Sequence, residues 1–248
     1  MIETTPFTVF IAALITAVAT GLGALPFLFV RRMSLRWEAL GNAVAAGLML
    51  AASLGLVNEG LKIGVWRTLL GVGLGAFAMW LANRLAHVRD DLTVGQLQGA
   101  DAKKALMIVG VMTLHSAAEG IGVGVSFGGG QELGVMMTLA IAIHNVPEGL
   151  AISLVLVPRG VSVLAAAWWS VFSSLPQPLL AIPAFLFVAL FQPVLPAGLG
   201  LAAGAMVWMT VTEMIPESLM HVGRTTALGT VAVAISAMMA LGWAVMGG

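Results

Sequence analysis

The sequence contains no cysteine and very little charge. Without cysteine, disulfide bonds, thiolate metal ligands and cysteine nucleophiles are all excluded, so a transition-metal site in this chain has to use His, carboxylate, amide or backbone ligands. Charged residues make up 9% of the 248 residues, the net charge is zero and no long basic run occurs. The chain therefore lacks the electrostatic footprint of a nucleic-acid-binding protein, and no nucleic-acid partner is expected.

Apolar residues, by contrast, make up 60% of the chain. A soluble domain of this composition would expose too much apolar surface, so the solvent for most of the chain must be a lipid bilayer. Because a helix needs roughly 20 mainly apolar residues to cross the hydrocarbon layer, the apolar runs predict an all-α polytopic membrane protein with about eight transmembrane helices, forming one transmembrane domain over residues 1–248. The predicted spans are residues 7–30, 37–59, 65–86, 104–127, 133–157, 161–188, 195–219 and 226–247.

Lys and Arg residues fall mainly on one side of the predicted membrane. Of the eleven, only Lys62 and Arg67 lie on the opposite side. By the positive-inside rule the other nine are cytoplasmic, which places both termini outside the cytoplasm and residues 87–103 in a short cytoplasmic loop between helices 3 and 4. We therefore predict a multi-pass protein of the cell membrane (inner or plasma membrane). No cleaved signal peptide is expected, because no positive charge precedes the first apolar run. The nine cytoplasmic residues are Arg31, Arg32, Arg36, Arg84, Arg89, Lys103, Lys104, Arg159 and Arg224.

Two histidines and two glutamates lie deep inside spans four and five. A charged side chain at mid-membrane costs roughly 3 kcal/mol on insertion scales, so such residues usually serve a pathway or a bound ion. His115 and Glu119 are spaced i and i+4, as are His144 and Glu148, so each pair shares one helix face. If these faces meet, the side chains have the chemistry of a tetrahedral Zn²⁺ site with two carboxylates to offset the ion's charge. A lone membrane His more often bonds a neighbouring helix, but the repeated His-x-x-x-Glu-Gly pattern favours metal binding.

The same pattern indicates internal repeats. The motifs at 115–120 and 144–149 start 29 residues apart in consecutive spans, which must run in opposite directions. Residues 45–61 in span two also resemble residues 202–219 in span seven, although shared apolar composition can mimic such a match. Many transporters are built from repeats of inverted topology with the site at their centre. We predict inverted repeats, formed by helices 1–3 and 6–8, around a central helix 4/5 pair that carries the metal site.

At these motifs the sequence resembles the ZIP (Zrt/Irt-like) divalent metal transporters, and within them the bacterial GufA-like branch of short members. Residues 144–149 (HNVPEG) match the signature of the family's metal-site helices, and residues 115–120 (HSAAEG) match the partner helix with Asn and Pro replaced. The likeness extends to residues 20–26, 46–49 and 212–217 in the first, second and seventh spans. The resemblance implies eight spans with both termini outside, in agreement with the charge distribution.

The resemblance implies a primary metal site at His115, Glu119, His144 and Glu148. It also implies a second metal held by neighbouring polar residues and by a Glu of helix 6. At the matching positions this chain has Ser116 in place of Asn, Asn145 as expected, and Gln177 in place of Glu. Because an amide lacks the charge of a carboxylate, we expect one strong site and a weak or empty second site.

Further polar residues in spans two and seven are candidates for an ion pathway. These candidates are Asn58, Glu59, Thr212, Glu213 and Glu217. In span seven, Pro216 cannot donate a hydrogen bond to the carbonyl of Thr212, which leaves polar backbone beside Glu213. The alternative for these residues is interfacial placement near the membrane surface.

These features predict a protein that transports a divalent metal ion, Zn²⁺ above all, toward the cytoplasm, and that is not an enzyme. The N and O ligands would also suit Cd²⁺, Fe²⁺, Mn²⁺, Co²⁺ or Ni²⁺. Because ligation needs neutral His and ionised Glu, uptake is expected to release protons from the site. One alternative is an intramembrane zinc-dependent hydrolase, although the sequence has no His-Glu-x-x-His motif; the other is a metal sensor that does not transport. The interpretation also allows a homodimer.

Overall fold

The computed structural model describes residues 4–30, 34–86 and 100–246, and over these ranges the chain is helical and without strands. The predicted all-α class is therefore confirmed for this part of the chain. Within these ranges the α-helices are α1 (Pro6–Leu22), α2 (Leu35–Ile63), α3 (Val65–Ala86), α4 (Ala100–Gly129), α5 (Gln131–Leu156), α6 (Val163–Ser173), α7 (Pro176–Leu190), α8 (Leu195–Met209), α9 (Ile215–Val222) and α10 (Arg224–Met246). Short 3₁₀ turns cover Leu25–Leu28, Val157–Arg159 and Gln192–Val194, and a π-helical turn covers Thr210–Met214.

Several of these helical runs are long and apolar enough to cross a membrane. Among the described residues there are five such runs, at Pro6–Leu28, Leu35–Ile63, Gln131–Arg159, Val163–Leu190 and Gln192–Val222. Shorter apolar stretches occur at Val65–Leu81 and Arg224–Ala240. The chain is thus a polytopic helical membrane protein, as the composition predicted. The count of eight spans and the inverted repeats stay predictions.

Several helix boundaries differ from those predicted. α1 ends at Leu22, and the residues up to Leu28 form a 3₁₀ turn around Pro26, which lacks the N–H that an α-helix would need there. α4 begins at Ala100, before the predicted start at residue 104. The rest of the predicted cytoplasmic loop, residues 87–99, lies outside the described residues.

The sixth predicted span, residues 161–188, is two helices and not one. α6 ends at Ser173, and α7 begins at Pro176, whose ring nitrogen has no hydrogen to continue the ladder of α6. The break places the amino-terminal end of α7 inside the protein, where Gln177 is completely buried. It therefore brings a polar side chain to a position that a continuous apolar helix would not provide.

The seventh predicted span, residues 195–219, is also interrupted. α8 passes through the π-helical turn into α9, and the N–H of Ile215 bonds to the carbonyl of Thr210, five residues earlier. Pro216, in the first turn of α9, cannot donate to the carbonyl of Thr212. The local sequence thus favours a wider turn at this point, and such turns occur frequently at functional sites.

Close backbone packing holds α4 and α5 at the centre of the molecule. α4 packs on α7 and α5 packs on α1. A Cβ atom added at Gly120 would lie 2.5 Å from the carbonyl oxygen of Gln177, and one at Gly149 would lie 1.6 Å from that of Thr20. Small residues at such crossings let membrane helices approach closely. The two glycines directly follow Glu119 and Glu148, so this packing fixes the helix faces that carry both carboxylates.

Candidate metal centre

Four ionisable side chains from the middle of α4 and α5 converge on one buried point. They are His115, Glu119, His144 and Glu148, and we call them the central cluster. One potential ligand atom from each residue lies within 4.8 Å of the corresponding atoms of the others. None of the four residues is more than 2% exposed. The residues that the His-x-x-x-Glu spacing singled out are therefore brought together.

Within the central cluster, each His lies closest to the Glu of the other helix. Nε2 of His115 is 2.5 Å from Oε1 of Glu148, and Nε2 of His144 is 2.5 Å from Oε1 of Glu119. The contacts within one helix are longer, at 3.1 Å for His115 to Glu119 and 3.8 Å for His144 to Glu148. This crossing follows from the antiparallel course of α4 and α5, which sets the first residue of one motif beside the last residue of the other. Two imidazoles and two carboxylates, facing one another in this way, can surround a divalent cation.

The second ring nitrogen of each His has a different partner. Nδ1 of His144 lies 3.0 Å from the carbonyl oxygen of Ala140, which can only accept, so this nitrogen donates and Nε2 is turned toward the carboxylates. Nδ1 of His115 instead contacts the thioether sulfur of Met209. A carbonyl partner for the second nitrogen is typical of metal-ligating His.

A layer of uncharged polar side chains covers the Glu119 side of the central cluster. Nε2 of Gln177 donates to Oε2 of Glu119 at 2.6 Å, and Oε1 of Gln177 accepts from the Thr16 hydroxyl at 2.5 Å and from Nδ2 of Asn145 at 3.3 Å. The same Asn145 nitrogen donates to the carbonyl of Thr16 at 2.8 Å. All of these residues are completely buried. Helices α1, α4, α5 and α7 are therefore tied together at this point.

The three residues predicted for a weak second site lie beside the central cluster. Gln177 uses both ends of its amide in the hydrogen bonds just described. Ser116 is 3.4 Å from the hydroxyl of Ser174, which in turn lies 2.8 Å from that of Thr20. Oδ1 of Asn145 is buried and has no hydrogen-bond partner among the described residues. Their role as metal ligands stays a prediction.

The opposite side of the central cluster, at His115 and Glu148, borders a cavity of about 70 Å³. Glu213 and Glu217 also line this cavity. Nδ2 of Asn42 donates to Glu217 at 3.1 Å, and Nδ2 of Asn83 donates to Glu213 at 3.2 Å. Two of the predicted pathway residues are thus brought next to the central cluster.

The other predicted pathway residues are not brought to this cavity. The Thr212 hydroxyl donates to the carbonyl of Trp208 at 2.9 Å on an exposed face. Glu59 pairs with exposed Lys62 at 2.5 Å near the end of α2, and Asn58 beside it is exposed. None of Thr212, Asn58 and Glu59 therefore lines the cavity beside the central cluster.

Several residues around the central cluster were missed by sequence reasoning. Thr16 and Thr20 are spaced i and i+4 in an otherwise apolar helix, so their polar face was a signal that could have been used. Met209 carried no such signal, because a methionine in an apolar helix is normally packing. Asn42 and Asn83 are polar residues in apolar runs and could have been noted as partners for the carboxylates of span seven.

Comparison of the sequence with known proteins assigns the chain to a family. Residues 85–248 match the model of the ZIP zinc transporter family. The chain belongs to the ZIP family. It is 44% identical to a putative zinc transporter of Arabidopsis thaliana over 94% of this chain, but it spans only 38% of that relative's length. Over 84% of this chain it is 33% identical to the zinc transporter GufA of Myxococcus xanthus, covering 87% of that protein.

A second bacterial ZIP relative agrees with this assignment. The chain is 35% identical to the zinc transporter ZIPB of Bordetella bronchiseptica over 84% of this chain and 72% of the relative. The resemblance predicted from the two His-x-x-x-Glu motifs is therefore confirmed, including its GufA-like branch.

Proposed function

We propose that this chain transports Zn²⁺ across the cell membrane toward the cytoplasm, with the central cluster as its ion-binding site. The observation that carries the proposal is the burial of two imidazoles and two carboxylates within 4.8 Å of one another. Burying such groups together is costly, and a bound dication would offset the two negative charges. The names of the bacterial relatives, both zinc transporters, support Zn²⁺ as the substrate.

The route of the ion follows from the surroundings of the central cluster. His115 and Glu148 border the cavity that Glu213 and Glu217 also line, and the positive-inside rule puts this end of the molecule on the cytoplasmic side. The ion would enter from outside, lose water, bind the central cluster and leave past these two carboxylates. The proposal includes eight spans in one domain, both termini outside, and inverted repeats that rearrange around the site.

The proposal includes one strong site. Asn145 and Ser116 offer weak neutral ligands, and both ends of the Gln177 amide already form hydrogen bonds, so a second dication would rest on carboxylates shared with the first. Other divalent ions that accept N and O ligands are possible substrates of the same site. Two metals of similar affinity in a titration would contradict this part of the proposal.

The rival functions make different demands on the site. A zinc hydrolase keeps one metal position open for water and needs a separate base, whereas all four members of the central cluster face one another. A sensor would bind metal without moving it. Neither rival is supported by an observation of its own.

The test is uptake of Zn²⁺ into liposomes that contain the purified full chain. Wild type should accumulate Zn²⁺, and His144→Ala and Glu148→Ala should reduce accumulation to the level of empty liposomes. A panel with Cd²⁺, Mn²⁺, Fe²⁺, Co²⁺ and Ni²⁺ would define selectivity. Glu59→Gln, whose side chain lies away from the central cluster, is the control and should transport like wild type. Zn²⁺ binding without any uptake by wild type would instead indicate a sensor.

A further inference from the structure

The two carboxylate oxygens of Glu119 have different partners, because Gln177 binds only one of them. Its Nε2 donates to Oε2 of Glu119 at 2.6 Å. The other oxygen, Oε1, lies 2.5 Å from Nε2 of His144 and 3.1 Å from Nε2 of His115. One oxygen of this carboxylate therefore faces the two histidines of the central cluster, and the other accepts a hydrogen bond from the Gln177 amide.

The orientation of the Gln177 amide is set by its neighbours. The Glu119 carboxylate and the Thr16 carbonyl can only accept hydrogen bonds, so Nε2 of Gln177 and Nδ2 of Asn145 must be donors. Oε1 of Gln177 then accepts from Asn145 and from the Thr16 hydroxyl. Reversing the amide would set an oxygen against the carboxylate and a nitrogen against the Asn145 donor. The amide is thus held with its donor toward Glu119.

The backbone of Gln177 is held as firmly as its side chain. It lies at the start of α7, directly after the break between α6 and α7. Gly120, next to Glu119, approaches so closely that a Cβ atom there would be 2.5 Å from the carbonyl oxygen of Gln177. Rigid backbone contact on one side and three buried hydrogen bonds on the other leave Gln177 little freedom to move away from Glu119.

The number of oxygens that Glu119 can offer affects which ions fit. Zn²⁺ in proteins is usually bound by about four N, O or S ligands, whereas Mn²⁺ prefers about six, mostly oxygen. A carboxylate that ligates through both oxygens raises the ligand number by one. Holding Oε2 in a hydrogen bond keeps the contribution of Glu119 at one atom and the ligand number of the central cluster low.

The geometry assigns to Gln177 the role of a positioning residue that restricts Glu119 to one ligand oxygen and thereby makes the central cluster selective for four-coordinate divalent ions over six-coordinate ones. This inference rests on the proposed function, since it concerns the ion that the central cluster binds. It differs from a role for Gln177 as a ligand of a second metal, because here the amide acts through Glu119 and does not touch the ion.

The test replaces Gln177 by a side chain of similar length that cannot donate. In purified full-length Gln177→Met loaded with Co²⁺, the intense visible absorption of tetrahedral Co²⁺ should weaken as Glu119 supplies its second oxygen. In parallel, the ratio of Zn²⁺ to Mn²⁺ affinity should fall about tenfold, equal to roughly 1.4 kcal/mol. A purely structural defect would weaken the binding of both ions by the same factor and leave the ratio of their affinities unchanged.

Ser174→Ala is the matched control. Ser174 is buried at the same helix break and its side chain bonds to Thr20 and Ser116, but it does not contact Gln177 or Glu119 through that side chain. Its Co²⁺ spectrum and its affinity ratio should equal those of wild type. Thr16→Val, which removes one of the bonds that hold the amide, should shift both readouts in the same direction as Gln177→Met by a smaller amount.

The outcomes separate this inference from the proposed function. If wild type binds Zn²⁺ and transports it, but Gln177→Met and Thr16→Val keep the tetrahedral spectrum and the wild-type affinity ratio, the inference is overturned and the proposed function stands. If wild type binds none of these ions, the proposed function itself fails. Should Gln177→Met not fold, Thr16→Val decides the question, because it leaves the Gln177 side chain in place.

Discussion

Glu119 and Glu148 are equivalent in sequence motif and in burial, yet their surroundings differ. Glu119 is covered by Gln177, which is fixed by Thr16 and Asn145. Glu148 borders the cavity that contains Glu213 and Glu217. We call Glu119 and its partner His144 the sealed half of the central cluster, because neutral hydrogen bonds cover this carboxylate. We call Glu148 and its partner His115 the open half, because they adjoin a cavity with further carboxylates.

The two histidines show the same difference. His144, which pairs with Glu119, has its second nitrogen bonded to the carbonyl of Ala140. His115 pairs with Glu148, and its second ring nitrogen contacts the thioether sulfur of Met209. A thioether is only a weak hydrogen-bond acceptor. Met209 directly precedes the π-helical turn that carries Glu213. The sealed half thus has the stronger hydrogen-bond partner, while His115 of the open half contacts the helix that leads into the segment lining the cavity.

This difference suits an ion site that must bind and also release. A fully sealed cluster would hold a dication without an exit, and a cluster open on every side would leave four ionisable groups in water and lose the low dielectric that strengthens their attraction to the ion. In the proposed function, the sealed half would set the geometry of ligation, and the open half would give the ion a path along carboxylates.

The largest effect on stability is expected from breaking the packing of the sealed half. In Gly120→Ala, the new methyl group would meet the backbone of Gln177 at 2.5 Å, so α4 and α7 must separate. Overpacking of this kind costs typically 1–3 kcal/mol, and we expect a clear loss of thermal stability in detergent. Gly110→Ala on the same helix is the control, since a Cβ atom there meets nothing within 4 Å. Equal melting temperatures for the two variants would show that this contact does not support the sealed half.

An effect on Zn²⁺ affinity, shared by both halves, is expected from pH. Metal binding requires neutral His and ionised Glu, so protons compete with the ion at every member of the central cluster. Zn²⁺ affinity should therefore rise between about pH 5 and pH 8, by up to about tenfold per pH unit for each proton released. Calorimetric titration in buffers of different ionisation enthalpy measures the number of protons released. A Zn²⁺ affinity that does not change with pH over this interval would contradict proton release in either half.

The halves could be predicted from the sequence to different extents. Apolar runs predicted most of the helical segments, and the His-x-x-x-Glu spacing predicted that each His shares a helix face with a Glu, because both depend on the local period of a helix. The sealing layer was not predicted, since it depends on contacts between distant segments: Thr16 and Gln177 are 161 residues apart. The helical periodicity within one segment does not indicate which faces of α1 and α7 will meet.

The interruptions of spans six and seven explain the remaining errors. The prediction of a single span over residues 161–188 did not include a break at Pro176, so it did not place the start of α7 inside the protein. In span seven, the π-helical turn shifts the helix faces, and a regular α-helical phase does not tell which of Thr212 and Glu213 faces inward. The structure turns Glu213 and Glu217 to the cavity and leaves Thr212 exposed.

The smallest effect is expected from the carboxylates of the open half. Glu213→Gln and Glu217→Gln keep the size of the side chain and an oxygen that can accept from Asn83 or Asn42. They remove a negative charge that, in the proposed function, would face the leaving ion. Uptake into liposomes should slow by less than about tenfold, which corresponds to roughly 1.4 kcal/mol in activation free energy. Equilibrium Zn²⁺ affinity should stay at the wild-type value, because neither residue belongs to the central cluster.

This separation of rate from affinity distinguishes an exit from a second binding site. If Glu213 and Glu217 only line the way out, their variants slow uptake at saturating Zn²⁺ and leave the binding curve unchanged. If they hold a metal of their own, the titration of the variants should lose one binding event relative to wild type. Glu59→Gln, at an exposed pair with Lys62, should change neither quantity. Loss of affinity in Glu213→Gln would therefore mean that the open half extends farther than the four residues of the central cluster.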